Sequence, residues 1–387
     1  MAGAHSPRKV CVVTGSRADY GYLHWPMRLL SADPTFELQL AVTGMHLEPA
    51  FGETWRDIET DGFEIQARVP SLEAGDDAIA ITKSIARGVA GFADALATLS
   101  PDFLMVLGDR YEILAAVQAA LIARVPVAHL AGGDTSEGAF DESIRHAITK
   151  MSHLHFVTNE VAAGRVRQMG ENSAHIHHVG STGLDYIRRT EYLERSDVFA
   201  RIGIEPFERQ LLVTYHPVTL DPVSSLRHGE ELLAALEKVD AATGIIITGP
   251  NADTEGRALT AAMTAFATER PNAVFRESLG QMLYVNALKQ VDAVVGNSSS
   301  GLYEAPSFGI PTVNIGDRQR GRLKTGSVLD CLPERDRIYE CIQAALAGDY
   351  RDTINPYGAG NASEKILDVL RALGDPQSLI RKTFCDV

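Results

Sequence analysis

Asp109, Asp141 and His216 are titratable residues in polar segments that follow apolar, strand-like runs, where acid–base chemistry or ligand contact could be placed. Asp109 stands in the run Gly108, Asp109, Arg110, Tyr111, Glu112, directly after the apolar stretch 103–107. Acids and bases at the carboxyl end of a parallel strand sit where open α/β sheets place their chemistry. The plain alternative for Asp109 is an N-cap of the following helix. The crowding of Asp109, Arg110 and Glu112 at one strand end favours function.

Asp141 begins the run Asp141, Glu142, Ser143, Ile144, Arg145, His146, which follows Ala131, Gly132, Gly133, Asp134. Paired glycines after an apolar strand are expected to let the backbone approach a ligand. Asp141 or Glu142 could instead cap the next helix, with Arg145 and His146 structural. His216 lies in Tyr215, His216, Pro217, Val218, Thr219, at the end of another strand-like run. A satisfied structural histidine is its bland alternative.

Three further segments suit an anion. Gly15, Ser16, Arg17, Ala18, Asp19, Tyr20, Gly21 joins a strand to a helix, whose N-terminus favours negative charge. Arg17 adds a forked cation. The spacing is not the G-x-G-x-x-G of dinucleotide sites. Gly296, Asn297, Ser298, Ser299, Ser300, Gly301 offers hydroxyls and backbone amides at a helix start, with Glu304 one turn on as acceptor for a ribose diol. An ordinary cap with Glu304 in a capping box is the alternative. Gly316, Asp317, Arg318, Gln319, Arg320, Gly321, Arg322 brings three arginines near that cradle.

The elements carrying these segments alternate. Strand patterns at 10–14, 38–43, 103–107, 125–130 and 155–158 are separated by helical patterns at 21–30, 76–99, 110–123 and 143–152. After a charged stretch, 188–206, a second series puts strands at 211–215, 244–248, 273–275, 293–296 and 311–315. Helices fall between them at 230–241, 255–269, 281–289 and 302–308. Strand–helix alternation predicts parallel sheets. The fold class is therefore α/β, with two doubly wound Rossmann-like domains facing across a cleft.

With 387 residues, 45% of them hydrophobic, two domains can each bury a core. Lys and Arg total 36 against 50 Asp and Glu, for a net charge of −14. That excludes a general nucleic-acid binder, while leaving room for a local basic pocket. Neither a signal peptide nor a bilayer-length apolar run is evident, so a cytoplasmic protein without membrane partners is expected. Cys11, Cys331, Cys341 and Cys385 are scattered, which argues for reduced thiols and against a zinc site.

These segments, in this order, closely resemble the hydrolysing branch of the UDP-N-acetylglucosamine 2-epimerase family, the branch that feeds sialic-acid synthesis. The non-hydrolysing branch typically has Gly-Thr-Arg-Pro-Glu where this chain has Gly15, Ser16, Arg17, Ala18, Asp19. The resemblance runs from Gly15 to the loop ending at Ser363, and implies the GT-B arrangement. It implies an N-terminal sugar-side domain over 1–187, a nucleotide-side domain over 188–363, and a C-terminal helix in 364–387 packing back on the first domain.

The implied reaction is UDP-N-acetylglucosamine plus water giving N-acetylmannosamine and UDP, with no redox cofactor and no metal. The resemblance makes Asp109 and Asp141 catalytic acids and His216 a cleft histidine. It assigns Arg17 and Arg110 to the diphosphate and active site, and Asn251 to the nucleotide side. Ser298 and Ser299 match diphosphate-binding serines, Glu304 the ribose acceptor and Arg318 the arginine that follows. Animal sialate enzymes carry glutamate where this chain has Ala131; its role is absent here or falls to Asp134, Glu112 or His129. The alternatives are the same chemistry on a UDP- or GDP-linked 2,4-diacetamido-trideoxy sugar, a non-hydrolysing epimerase, a GT-B glycosyltransferase, or a binding module. The family suggests a homodimer or tetramer.

Overall fold

The computed structural model describes residues 6–75, 77–135, 140–217, 225–250 and 256–386. Its contacts divide into two units, Met1–Arg188 with Tyr357–Val387, and Arg189–Pro356. The first contains β1 (Arg8–Thr14), β2 (Phe36–Thr43), β3 (Ala67–Val69), β4 (Phe103–Leu107), β5 (Val127–Leu130), β6 (Leu154–Val157) and β7 (Ile176–His178). They form one parallel sheet in the order β3-β2-β1-β4-β5-β6-β7. The second contains β8 (Arg209–Thr214), β9 (Thr243–Thr248), β10 (Ala273–Arg276), β11 (Ala293–Gly296), β12 (Thr312–Ile315) and β13 (Val328–Cys331). These form a parallel sheet in the order β10-β9-β8-β11-β12-β13.

Both sheets are covered on both faces, which is why their central strands read as unbroken apolar runs. In β1, Val10 and Val12 enter one core while Cys11 and Val13 enter another. In β8, Leu211 and Val213 point to one side and Leu212 to the other. The α/β, doubly wound class expected from the alternation is thus the one observed. In each sheet the winding reverses beside the first strand, between β1 and β4 and between β8 and β11. A crevice opens outside the carboxyl ends of the strands at such a reversal.

Helix Ala362–Ala372 belongs to the first unit. Its Ile366, Leu367 and Leu370 share a core with Leu23, Met27 and Leu30 of helix Arg17–Ala32. Asp185, fully buried, accepts from the amides of Ala362 and Ser363 at 2.8 and 2.7 Å, so it caps a helix distant in sequence.

Several elements differ from the sequence pattern. β3, β7 and β13 went unread because Ala-Arg-Val, Ile-His-His and Val-Leu-Asp-Cys carry little strand periodicity. The stretch 302–308 is not one helix. A single turn, Ser300–Tyr303, gives way to a 3₁₀ turn, Ala305–Phe308, because Pro306 lacks an amide hydrogen and restricts the residue before it. The charged stretch 188–206 contains helix Arg195–Ile202, anchored by buried Val198, Phe199 and Ile202. Among the described residues, no helix is long and apolar enough to cross a membrane.

Candidate active site

At the reversal in the first sheet, two arginines organise the acids. Arg145, on helix Asp141–Met151, has only 7% of its side chain exposed. It donates to the Asp109 carboxylate, to the Asp134 carbonyl oxygen at 2.8 Å and to Glu142 Oε2 at 3.1 Å. Arg110 donates to Glu112 Oε1 at 2.8 Å, and its charge is also felt at Asp19 and Asp141. Burial lifts the Asp141 carboxyl above the ordinary range, and Arg110 offsets part of that rise. A carboxyl raised toward neutrality is better matched to exchanging protons with a substrate.

Asp109 does not cap the helix after β4; Arg110 occupies that position, without a side-chain bond. Nor do Asp141 and Glu142 cap theirs, since Phe140 is the N-cap residue. Glu142 instead holds Arg145 and, through Oε1, His146 Nε2 at 3.1 Å.

Asp19 is a buried acid that the motif reading passed over. Ser16 caps helix Arg17–Ala32 by accepting from the Asp19 amide at 3.3 Å, which fixes Asp19 one turn into the helix. Burial pushes its carboxyl up to about 6, against the pull of Arg110. Asp19 Oδ2, Glu112 Oε2 and Arg110 Nε have no hydrogen-bond partner among the described residues. The signal was available in the spacing, since Ser16 and Asp19 form the capping-box pattern. Arg17 is exposed at the first position of that helix.

The residues expected to stand in for the acid missing at Ala131 each have surroundings of their own. Asp134 accepts from Thr158 Oγ1 at 2.9 and 3.0 Å and from Asn159 Nδ2 at 3.2 Å. Glu112 is buried beneath Arg110. His129 is fully buried between the Gly108 carbonyl (2.8 Å) and Thr149 Oγ1 (3.2 Å), and burial lowers it to about 3, leaving a neutral ring. The glycine pair is packed tightly against its neighbours. A side chain at Gly132 would meet His129 and Thr149 at 2.9 Å, and one at Gly133 would meet the Ala162 carbonyl at 2.4 Å. Internal packing by itself already calls for glycine at both positions.

In the second unit, the reversal gathers His216, the serine loop and Arg318. The Asn297 side chain binds the His216 backbone, accepting from its amide at 2.7 Å and donating to its carbonyl at 2.8 Å. The Asn297 carbonyl accepts from Arg318 Nη1 at 3.1 Å and Gln319 Nε2 at 2.8 Å. Ser298 and Ser299 are half-buried, and Ser298 Oγ accepts from the Ser300 amide at 3.4 Å. Ser299 is the N-cap residue of the one-turn helix, without a side-chain cap bond, and Glu304, half-buried, ends it. Tyr284 donates to Ser300 Oγ at 2.8 Å, so that hydroxyl braces the loop from below. Asn251, like Val218 and Thr219, lies outside the described residues. Among the described residues, no group of three or more histidine, cysteine or acidic side chains is arranged to hold a metal ion.

Residues 28–371 match the profile of a family described as UDP-N-acetylglucosamine 2-epimerase. The chain is 36% identical over 341 residues to a GDP/UDP-N,N'-diacetylbacillosamine 2-epimerase (hydrolyzing) from Campylobacter jejuni, covering 88% of both proteins. It is 34% identical over 375 residues to a UDP-N,N'-diacetylbacillosamine 2-epimerase (hydrolyzing) from Legionella pneumophila, covering 97% of this chain and 98% of that protein. The fold matches a crystal structure of UDP-GlcNAc 2-epimerase from Neisseria meningitidis bound to UDP-GlcNAc, with a TM-score of 0.78 at 19% identity, covering 94% of this chain and 99% of that one.

Proposed function

The chain belongs to the UDP-N-acetylglucosamine 2-epimerase family, and from that premise we propose that it hydrolyses and epimerises a UDP-linked 2,4-diacetamido-2,4,6-trideoxy sugar. The observation that carries the choice of sugar is the pair of relatives above, at 36% and 34% identity, both named as hydrolysing diacetylbacillosamine 2-epimerases. The free sugar would serve synthesis of a sialic-acid-type, nonulosonic acid. UDP-N-acetylglucosamine, giving N-acetylmannosamine, is the second reading, supported by the family description.

The C2 proton of such a sugar has no neighbouring carbonyl, so it becomes acidic only as the anomeric C–O bond to the diphosphate breaks. A carboxylate takes that proton, UDP leaves with the bonding electrons, and a C1=C2 glycal forms. Water then adds its oxygen to C1 while a proton reaches C2 from the opposite face, inverting that carbon. In our assignment Asp109 and Asp141 handle the C2 proton and the water, with Arg145 orienting Asp109 and Glu112 orienting Arg110. His216, Ser298, Ser299, Arg17 and Arg318 meet the diphosphate, Glu304 the ribose and Asn251 the nucleotide. One preorganised donor at a developing anion is worth roughly 10²–10³ in rate.

The test is release of free sugar and nucleotide from UDP-N-acetylglucosamine and from UDP- and GDP-linked diacetylbacillosamine. A kcat/KM about tenfold higher for the UDP-diacetamido sugar, equal to about 1.4 kcal/mol of transition-state discrimination, is expected. The reverse preference would favour the second reading. No free sugar from any of the three would overturn hydrolysis.

A further inference from the structure

Asn297 spends every polar group it has on tying together three loops of the second unit. Its amide N–H donates to the Thr214 carbonyl at 3.2 Å, at the end of β8. Its side chain makes the two-bond ring with the His216 backbone, at 2.7 and 2.8 Å. Its carbonyl takes one bond from Arg318 and one from Gln319, at 3.1 and 2.8 Å, in the loop after β12. Asn297 and Gln319 are both fully buried. The chain reaches this point through Gly296 at φ +137°, where a side chain would lie 1.9 Å from the Thr214 carbonyl. This close approach of the loop to β8 therefore requires glycine.

We propose that Asn297 is a positioning residue that fixes His216, Ser298 and Arg318 relative to one another, so that a nucleoside diphosphate meets donors already in place. The inference rests on the reading of this loop cluster as the diphosphate side of the site. Asn297 itself touches no ligand; its contribution is the ordering that the ligand would otherwise have to impose. Only an asparagine-like amide fits, because the His216 backbone presents a donor and an acceptor side by side. A carboxylate would set an oxygen against the His216 carbonyl, and a leucine would leave both His216 groups unpaired.

Calorimetric binding of UDP and of uridine to the full chain, with thermal melting of each variant, separates the possibilities. Asn297→Asp is expected to weaken UDP by about 10- to 100-fold, the range set by one buried polar mismatch. Gln319→Met is the second variant, and it guards against a folding defect. It removes one donor to the Asn297 carbonyl together with Gln319 Oε1, which has no partner among the described residues, so its stability should hardly move. Its UDP affinity should still fall about three- to tenfold while uridine affinity stays near wild type. Wild-type UDP affinity in both variants would overturn the proposal, as would equal losses for UDP and uridine, which mark a merely structural role. Failure of the unaltered chain to bind UDP would instead remove the diphosphate reading on which the proposal stands.

Discussion

The buried guanidinium of Arg145 is bonded to the carboxylate of Asp109, joining the loop after β4 to the helix that Asp141 begins. The same side chain holds Glu142 and the Asp134 carbonyl, so Asp109 is held by a residue that is itself held twice more. Asp109→Asn keeps an oxygen for Arg145, which also retains Glu142, so the variant should fold and bind UDP. Turnover should fall about 10²- to 10⁴-fold, the usual contribution of a general acid or base. Steady-state kinetics beside a melting curve checks this, and near-normal turnover removes Asp109 from the mechanism.

Arg145→Met should act on the fold as well. Breaking a fully buried ion pair costs roughly 3–5 kcal/mol; the carboxylates here are 24% and 27% exposed, so about 2–3 kcal/mol is expected. Urea unfolding measures it, and a loss within about 0.5 kcal/mol, the scatter of ordinary surface substitutions, would mean the pair carries little of the fold.

Asp19 gives a pH signature. Its folded-state carboxyl lies near 6 and its ordinary value is 3.8, so the folded chain binds the proton more tightly. Stability from this group is complete below about 4 and declines as pH rises through about 6, by at most about 3 kcal/mol. Asp19→Asn should flatten that part of the stability–pH curve. Identical curves for the two proteins between pH 4 and 7 would contradict the burial argument.

Glu171 provides the opposite sign. Burial pushes its carboxyl up, but hydrogen bonds from His155, Lys150 and Lys382 outweigh it and hold it down to about 2. Stability from this group is present above pH 4.5 and lost as pH falls through about 2. Lys382 reaches Glu171 at 2.7 Å and also donates to the carbonyls of Lys150 and Ser152, clamping the chain's end to the first unit. Lys382→Met should cost about 1–3 kcal/mol at neutral pH, and the difference should shrink toward pH 2. A constant difference across that range would show that the ion pair is not its source.

The sequence made the α/β class legible because apolar runs such as 10–14 and 211–215 mark strands covered on both faces, with turn residues between them. It did not reveal β3, β7 or β13, whose short edge sequences lack periodicity. At the candidate site, the acids were visible as residue types, but their partners were not. Arg145 reads as an ordinary helical arginine until the fold brings Asp109, 36 residues away, into contact with it. Asn297 reads as a loop residue until β8 and β11 pair and bring His216, 81 residues away, alongside. The packing around the glycine pair was hidden for the same reason, since its neighbours, His129, Thr149 and Ala162, come from three different elements.

Arg110 should set the acid limb of the pH–rate profile. If Asp141 works as a base, its burial places the limb of kcat/KM above the ordinary carboxylate range, and the Arg110 charge holds it lower than burial alone would. Arg110→Gln should therefore move the limb to higher pH. A limb that stays fixed or moves down would exclude Asp141 as the titrating group.

Hydrogen exchange at the reacting carbon bears most directly on the central claim, that the chain removes the C2 proton, expels UDP and returns a free sugar inverted at C2. Turnover of the UDP-linked diacetamido sugar and of UDP-N-acetylglucosamine in D₂O, followed by NMR, should show free 2-epimeric sugar carrying deuterium at C2, with UDP released in equal amount. Free sugar that keeps its original hydrogen at C2, or an epimer still attached to UDP, would contradict it.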